Sequence, residues 1–498
     1  MSELLRRGRL KSVREDVVKF TSSIKSDEKL LKHVIKINKA HAVMLIEQKI
    51  IDPAAGTKIL GALSKLEKGL KLKASHEDVH MAVEEEVMKA TGPEVGGNLH
   101  IAKSRNDQIS TAIRMALREE IIKLMELMIN LQDIVIRLSE EHVETLMPGY
   151  THLQPAQPIT FAHYLLSFFD CLNRDIDRIG EAYDRFDQCP MGAGALATTS
   201  FPISRERVAN LLGFSDVLEN SFDAVSSRDF ILETLAALSI LAVDVSRFVE
   251  DVIIWCTSEF RIIELPDEFS STSSIMPQKK NPEVLEVIRA RMSHIIGDLV
   301  SSLAMMKALP TSYNLDLQEV TPKLWIALET MEDSLKMLFS LIPALKVNEN
   351  IFQRPDLSFT TATELANMLV RKHNIPFRTA HSIVGALVRD LVEKNQSLLE
   401  VTPEKLHETA MRIAGIPLKV NAEEISSAVN PARFVESHNV RGGPSKNEVL
   451  RMIDLRKGLL SRLKDQTSKK KDKLSHAEKT LDEAVNSYLT FSSVNRKV

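Results

Sequence analysis

The residues with the clearest chemical potential occupy one stretch, residues 270–282, which reads SSTSSIMPQKKNP. The stretch runs from a cluster of hydroxyl groups to two adjacent lysines, and a helical pattern starts at Glu283. Ammonium groups in a loop can hold a carboxylate, and they also lower the pKa of a hydroxyl that must lose a proton. From residue types alone, a polar surface loop preceding a helix is the commoner interpretation.

Two further polar segments could present charged or polar groups to a small ligand. Residues 97–108 place Arg105 and Asn106 at the start of a long helical pattern, where the helix dipole and free N–H groups favour an anion. Residues 147–158 are polar and rich in proline, which predicts a rigid irregular loop that presents His152. Plain helix capping and a structural histidine are the alternatives for these two segments.

A short zinc-binding pattern also occurs. Residues 76–80 read HEDVH and match H-E-x-x-H, which places two zinc ligands and a glutamate base on one helix. No third ligand follows at a metzincin spacing, although Glu84, Glu85 and Glu86 offer carboxylates. A polar loop that enters a helix at Met81 is the favoured interpretation, and a zinc hydrolase is the alternative.

Composition narrows the class of protein. The 498 residues include 64 Lys+Arg and 67 Asp+Glu, and the net charge of −3 argues against a nucleic-acid-binding body. Sparse glycine, proline and aromatic residues are typical of a mostly helical protein. Three widely separated cysteines predict a reducing, cytoplasmic location without disulfides or a thiolate metal site. The first residues lack the apolar run of a signal peptide, and no apolar stretch reaches the ~18 residues of a membrane span.

Long helical patterns must position the polar segments. Apolar residues recur at three- and four-residue steps, which predicts helices at residues 106–147, 159–186, 228–259, 283–309 and 321–341. The first would be roughly 60 Å long, too long for a small globular domain. The apolar faces are wider than one five-helix core needs, so we expect a helical bundle that associates with further copies of itself.

Breaks in the helical pattern divide the chain into three predicted domains. Glycines and prolines interrupt the pattern just before residue 104, and they recur after residue 350. We expect an N-terminal helical domain, a central long-helix bundle and a small C-terminal helical domain at residues 1–104, 105–350 and 351–498. The last ends in a charged extension beyond Leu463, which we interpret as a solvated terminal helix.

Three patches together resemble the fumarase/aspartase superfamily. Residues 270–282 match its signature S-S-x-M-P-x-K-x-N-P, and the form with Gln278-Lys279-Lys280 resembles the argininosuccinate lyase family. The string SRNDQ at residues 104–108 and the segment around His152 resemble the other two patches of that family, and the resemblance extends from about residue 20 to 447. It implies an all-α, three-domain fold whose long helices form a 20-helix core in a homotetramer, with active sites shared between subunits.

The resemblance also implies a reaction and its residues. The reaction would be a reversible β-elimination that splits argininosuccinate into arginine and fumarate, with no metal and no organic cofactor. Ser273 would take the Cβ proton and Lys279 would stabilise the resulting charge, while His152, paired with Glu286, would deliver a proton to the leaving nitrogen. The implied substrate contacts are Ser23, Asp27, Arg105, Asn106, Thr151, Arg228, Asn281, Tyr313 and Gln318.

Some choices stay open on the sequence. From residue types alone, Lys280 could serve as well as Lys279. Thr321 stands where the family often has a substrate-contacting lysine, and Lys323 lies two residues further on as a candidate substitute. The alternative functions are a sister lyase for adenylosuccinate, aspartate or malate, and a non-catalytic structural tetramer like the lens crystallins of this superfamily.

Overall fold

The protein is mostly helical, as its composition predicts. The computed structural model describes residues 14–73 and 76–494, with side chains as far as residue 490, so the residues behind the signal-peptide prediction lie outside it. Of the helices in these ranges, none combines the length and apolar character that a bilayer crossing requires. The α-helices are α1 (Glu15–Thr21), α2 (Leu31–Glu47), α3 (Pro53–Leu66), α4 (Val79–Thr91), α5 (Pro93–Gly96), α6 (Arg105–Glu141), α7 (Phe161–Phe186), α8 (Arg205–Leu211), α9 (Ser221–Ser226), α10 (Asp229–Trp255), α11 (Glu283–Met306), α12 (Leu317–Leu341), α13 (Ala362–His373), α14 (Phe377–Glu393), α15 (Pro403–Ala414), α16 (Ala422–Val429), α17 (Pro431–Ser437) and α18 (Lys446–Val494). The strands are β1 (Leu146–Thr151), β2 (Gln154–Thr160), β3 (Gln188–Cys189), β4 (Asp216–Val217), β5 (Ile263–Glu264), β6 (Ser271–Thr272), β7 (Lys280–Asn281) and β8 (Lys346–Val347).

Five long helices form a bundle at the centre of the molecule. α6 packs against α7 and α12, and α10 packs against α7, α11 and α12. The five predicted helices are therefore confirmed, with ends shifted by a few residues. α12 begins ahead of Pro322, so Gln318 is helical although the predicted helix begins only at residue 321. Pro322 is the sixth residue of α12, so it lies inside the helix, where it removes one intrahelical hydrogen bond and its ring crowds the carbonyl of Gln318.

The start of α6 is fixed by a capping box. Ser104 Oγ accepts a hydrogen bond from the backbone N–H of Asn106 at 3.3 Å, and Asp107 Oδ1 accepts one from Ser104 N–H at 3.0 Å. Neither proline nor glycine interrupts the following 37-residue helix. At 1.5 Å per residue α6 is about 55 Å long. It therefore carries Arg105 at one end and leads into the β1–β2 hairpin at the other.

Residues 147–158 form a β-hairpin, so the prediction of an irregular loop is wrong. β1 and β2 pair antiparallel with a bulge between Gly149 and Tyr150. The ladder has only two strands, so every strand is an edge and tolerates proline. His152 and Leu153 have φ values of 55° and 57°, the geometry of a tight two-residue turn. The hairpin therefore presents His152 at its tip.

Apolar packing divides into two main clusters. One core extends from α2 through the bundle to α18. A second, smaller cluster is confined to helices α13–α16 and their connections. Two apolar cores support more than one folding unit, and the division into three domains at residues 104 and 350 stays a prediction.

The C-terminal helix α18 packs along the bundle. It contacts α6, α2, α3, α7 and α8, and it buries Leu463, Leu481 and Val485. Our interpretation of the extension beyond Leu463 as a solvated helix is therefore wrong. The many lysines of this segment obscure its apolar periodicity in the sequence, and the apolar face itself packs against the bundle.

Candidate active site

One group of predicted site residues gathers where α6 and α10 begin, and we call it the receptor end. Gln318 Nε2 donates to the backbone oxygen of Thr21 at 3.0 Å, which ties α12 to the segment that carries Ser23. The phenol of Tyr313 lies within electrostatic range of Arg105, Arg228 and Asp27. The members are Ser23, Asp27, Arg105, Asn106, Arg228, Tyr313 and Gln318.

Asp27 fixes the loop ahead of α2. Its Oδ2 accepts a hydrogen bond from Ser23 Oγ at 2.6 Å and one from the backbone N–H of Val79 at 3.4 Å. Burial raises the pKa of Asp27, although these two hydrogen bonds act in the opposite direction. The loop and the start of α4 are thus held together by one buried carboxyl group.

Arg105 forms an ion pair with Asp78, a residue that the sequence did not predict for the site. Asp78 is the N-cap of α4, and its Oδ1 accepts the backbone N–H of Met81 at 2.8 Å. The signal was available in the sequence, because an aspartate ahead of an apolar run is a typical N-cap.

The same helix start removes the geometric basis of the zinc alternative. α4 begins at Val79, so His76 lies ahead of the helix and does not share a helical face with His80. His76 Nδ1 instead accepts the backbone N–H of Lys73 at 3.2 Å. Within residues 14–73 and 76–494, no group of three or more histidine, cysteine, aspartate or glutamate side chains is placed to hold a metal ion.

Arg228 is a buried cation that forms no ion pair within the described ranges, although the carboxylate of Asp229 lies within electrostatic range. Its side chain is 1% exposed, and its Nη1 donates to the backbone oxygens of Ser227 at 2.8 Å and Val225 at 3.3 Å. Among the described residues, Nε and Nη2 have no hydrogen-bond partner, and no carboxylate pairs with the group. Burial lowers the pKa of Arg228 to about 10 and raises that of Tyr313. A buried, incompletely bonded guanidinium is a strong site for a carboxylate.

Asp107 fastens a glycine-containing loop to the receptor end. Its Oδ2 accepts the backbone N–H groups of Gly194 at 2.8 Å and Gly192 at 3.2 Å, while Asn106 Nδ2 donates to the backbone oxygen of Ala195 at 3.0 Å. Both glycines have positive φ, which favours glycine over residues with a side chain. Burial raises the pKa of Asp107 to about 6. Sequence reasoning missed this contact because its partners lie more than eighty residues further along the chain.

A second group of predicted residues lies near the C-terminal end of α10, and we call it the base end. Tyr150, on the hairpin that carries His152, has its ring centroid 5.2 Å from that of Phe260, just beyond α10. Cys256 caps α10 and lies within electrostatic range of Glu286 and Lys280. The members of the base end are Thr151, His152, Ser273, Lys279, Asn281 and Glu286.

Ser273 follows β6 in a turn that suits a hydroxyl base. Its Oγ accepts the backbone N–H groups of Met276 at 3.1 Å and Ile275 at 3.3 Å. Donors aimed at this oxygen stabilise a negative charge and therefore favour the alkoxide over the neutral hydroxyl. The β6–β7 hairpin is closed by Asn281, whose Nδ2 donates to Ser271 Oγ at 3.4 Å.

The lysines near the two ends differ in their partners. Lys280 pairs with Asp267 at 2.7 Å and with Glu264 at 3.4 Å. Lys279 is exposed and forms no ion pair within the described ranges, which favours it over Lys280 as a substrate ligand. Lys323, the candidate substitute for the family lysine, pairs with Asp298 at 3.1 Å.

A single chain does not unite the predicted residues in one pocket. His152 and Glu286 are both exposed, and no hydrogen bond or ion pair joins them in the part of the chain that the structure describes. Arg228 caps the N-terminus of α10 and Cys256 caps its C-terminus. The 27 residues of this helix separate the receptor end from the base end by about 40 Å.

Comparison with known proteins assigns the chain to a family. The lyase family profile matches residues 11–297, and the profile of the argininosuccinate lyase C-terminal region matches residues 359–436. The argininosuccinate lyase of Methanocaldococcus jannaschii is 43% identical over 484 residues, which is 96% of this chain and 99% of the relative. The crystal structure of EDDS lyase in complex with formate has a TM-score of 0.87 at 29% identity, covering 93% of this chain and 92% of that one. A class II fumarase from Schistosoma mansoni, at 17% identity and a TM-score of 0.69, covering 82% of this chain and 91% of that one, shares the fold.

The long-helix bundle and these matches define a lyase of the fumarase/aspartase superfamily, and the predicted all-α fold is confirmed. Within that class the chain belongs to the argininosuccinate lyase family. The individual roles of the site residues stay predictions.

Proposed function

We propose that this chain catalyses the reversible β-elimination of argininosuccinate to L-arginine and fumarate. The observation that carries the proposal is the buried Arg228 guanidinium, which forms no ion pair among the described residues and lies within electrostatic range of Tyr313 and Asp229. A substrate carboxylate would supply the missing ion-pair partner. Identity of 43% to a relative called argininosuccinate lyase, over 96% of this chain, supports argininosuccinate as that substrate.

The first chemical step is removal of the Cβ proton by Ser273. The bond to this proton breaks, the proton moves to the serine oxygen, and the electron pair spreads into the adjacent carboxylate. The two backbone N–H groups that donate to Ser273 Oγ support its role as the base. Fixed positive and polar groups stabilise the resulting dianion, namely Arg105, Asn106, Lys279 and Asn281.

The second step is cleavage of the Cα–N bond. The electron pair of the carbanion forms the double bond of fumarate, and the Cα–N pair leaves with the guanidinium nitrogen. His152 delivers or relays a proton to that nitrogen, and Glu286 raises the basicity of the imidazole. Neither a metal nor an organic cofactor enters the proposed reaction. The other predicted contacts orient the substrate, namely Ser23, Asp27, Thr151, Arg228, Tyr313 and Gln318.

We further propose that the enzyme is a homotetramer whose active sites are shared between subunits. The separation of about 40 Å between the receptor end and the base end of one chain supports this, because one substrate cannot reach both. Large apolar side chains on the bundle are exposed in the single chain and would be covered by further copies. They include Ile240, Val243, Ile296, Val300 and Leu303. We also propose a cytoplasmic location, which the three unpaired cysteines support.

One assay tests the function against its alternatives. Purified protein is given argininosuccinate, adenylosuccinate, aspartate or malate, with and without a chelator, and fumarate is followed by its absorbance. We expect turnover of argininosuccinate alone, unchanged by the chelator. Turnover of only another substrate would identify a sister lyase, and no turnover at all would favour a non-catalytic tetramer. Loss of activity with the chelator would contradict the metal-free reaction.

A further inference from the structure

A buried polar cluster lies directly behind the receptor end. The side chain of Lys103, two residues before Arg105, is only 8% exposed, and its Nζ donates to Asn38 Oδ1. Asn38 is itself 2% exposed, and its Nδ2 donates to the backbone oxygen of Val34 at 2.8 Å. That second bond fixes the amide so that its oxygen faces Lys103. The ammonium group is therefore held by α2, which contributes no predicted substrate contact.

The backbone next to Lys103 is held by the same helix. His41 Nε2 lies 2.8 Å from the backbone oxygen of Ile101, and a carbonyl can only accept, so this nitrogen is the donor. Ala102, between the two tethered residues, has a φ of 59°, which is uncommon for a residue with a side chain. Such a backbone persists only where its surroundings hold it. Here the surroundings are His41 on one side and the Lys103–Asn38 contact on the other.

Two carboxylates and two histidines surround the ammonium. Glu84 on α4 and Asp107 on α6 attract it, and Glu84 also accepts from His100 Nδ1 at 3.0 Å. His41 on α2 and His80 on α4 also face the cluster, and burial lowers the pKa of each to about 3, so both rings are neutral. Burial lowers the pKa of Lys103 itself to about 8, against the pull of the two carboxylates.

We propose that Lys103 is a positioning residue whose ammonium holds the turn at residues 101–104 and thereby aims Arg105 and Asn106 at a carboxylate of the substrate. This inference rests on the proposed lyase function. Lys103 acts through the capping box of α6, because Ser104, the N-cap of that box, follows it directly and bonds to Asp107. Its loss would misalign the receptor end and leave the base end of the same chain, about 40 Å away, unchanged.

The test compares Lys103→Met with Lys89→Met. Lys89 is an exposed lysine on the neighbouring helix α4 that pairs with Glu85 and Glu86, so its loss is a matched control. In the reverse reaction we expect Lys103→Met to raise KM for fumarate about tenfold and KM for arginine less than about twofold. Lys89→Met should change neither constant. Equal effects on the two substrates, or no effect of Lys103→Met, would overturn the inference.

Rescue and pH provide a second readout. Lys103→Arg should restore the KM for fumarate at pH 7, because it restores a buried cation. Above about pH 8 the wild-type ammonium loses its proton while a guanidinium keeps its own. The ratio of kcat/KM for Lys103→Arg to that of the wild type should therefore rise with pH above about 8. A ratio that is flat between about pH 7 and 10 would contradict a role for the charge.

Two further outcomes are decisive. If Lys103→Met does not fold, Asn38→Leu removes the acceptor at similar size, and it should raise KM for fumarate in the same way or the inference fails. Wild-type protein without any turnover of argininosuccinate would overturn the proposed function and this inference together. Wild-type turnover with an unaltered KM for fumarate in Lys103→Met would overturn this inference alone.

Discussion

At the residue scale, the proposed base and acid are side chains that fold stability does not need. Ser273→Ala and His152→Asn should each lower kcat by about 10²–10⁴-fold, because each removes a proton-transfer group. Both side chains lie in turns outside the apolar core, so the proposed tetramer should stay intact in size-exclusion chromatography. Ser274→Ala, which removes the adjacent exposed hydroxyl, is the matched control and should keep most activity. A larger loss of kcat in Ser274→Ala than in Ser273→Ala would instead identify Ser274 as the base.

Arg228 should show opposite effects on activity and stability. Arg228→Met should abolish most turnover, yet it should leave the free energy of unfolding unchanged or raise it by about 1–2 kcal/mol, because it removes a buried charge that forms no ion pair among the described residues. The pKa of Arg228 is about 10 in the folded state and 12.5 at its usual value. The unfolded state therefore binds more protons at this group only between about pH 10 and pH 12.5. The Arg228 guanidinium of the wild type is thus charged in both the folded and the unfolded state at neutral pH. The change in unfolding free energy caused by Arg228→Met should therefore be the same at pH 7 and pH 9. A clear loss of stability of this variant in urea titrations would contradict the prediction.

The contacts that sequence reasoning could not supply share one property. Arg105 and Ser273 stand in strings that can be recognised, and the capping box at Ser104 and Asp107 joins residues three apart. The Lys103–Asn38 contact and the bonds from Asp107 to the glycine loop join residues 65 to 87 positions apart. Such partners are fixed by how helices pack, and one sequence gives no measure of that packing.

At the element scale, α18 and α6 behave as an antiparallel pair with a seven-residue repeat. Ion pairs between the two helices recur every seven residues. The residue number rises by seven from pair to pair in α18 and falls by seven in α6, as expected for antiparallel helices. The pairs are Lys457–Glu140, Lys464–Asp133 and Lys471–Glu126. A repeat of seven is the spacing of coiled-coil packing. Of the lysines beyond Leu463, Lys464 and Lys471 pair with α6. Lys470 pairs with Asp184 on α7, and Lys473 pairs with Asp187 just beyond α7.

Truncation after Leu463 should destabilise the protein far more than removal of these ion pairs. The missing residues include the buried Leu481 and Val485, and their loss should cost several kcal/mol of unfolding free energy at roughly 25 cal/mol per Å² of apolar surface. The triple variant with Lys457, Lys464 and Lys471 changed to alanine is the control. It should cost at most about 1 kcal/mol per pair, since the pairs are partly exposed. Similar losses in thermal unfolding for both proteins would show that charge holds α18.

Periodicity predicted the long helices well and the remaining elements poorly. The five bundle helices have continuous apolar spacing, and only α12 among them contains a proline, so their existence followed from the sequence. The hairpin at residues 147–158 was missed because prolines are excluded from the central strands of a sheet. In a two-stranded ladder both strands are edge strands, where proline is tolerated. In α18 the apolar positions are diluted by lysines, so the buried face was not evident.

At the scale of the whole molecule, mixed oligomers of inactive variants should recover activity in a pattern that the two ends define. Arg105→Met and Ser273→Ala damage opposite ends, so equal mixtures should form some sites with both ends intact. Random assembly from separate subunits should restore about a quarter of wild-type sites. Ser273→Ala mixed with Lys279→Met is the control and should recover nothing, because both residues lie on the connection between β6 and β7. Recovery in neither mixture would contradict shared sites.

The fixed number of residues in α10 limits where related sequences can differ in length. One helix sets the spacing between Arg228 and Cys256, so an insertion of one residue would shift one end by 1.5 Å and rotate it by about 100°. Because the two ends serve different pockets in the proposed tetramer, that single insertion would damage both at once. Natural variation in length among related enzymes should therefore be confined to loops and termini, with α6 and α10 free of gaps.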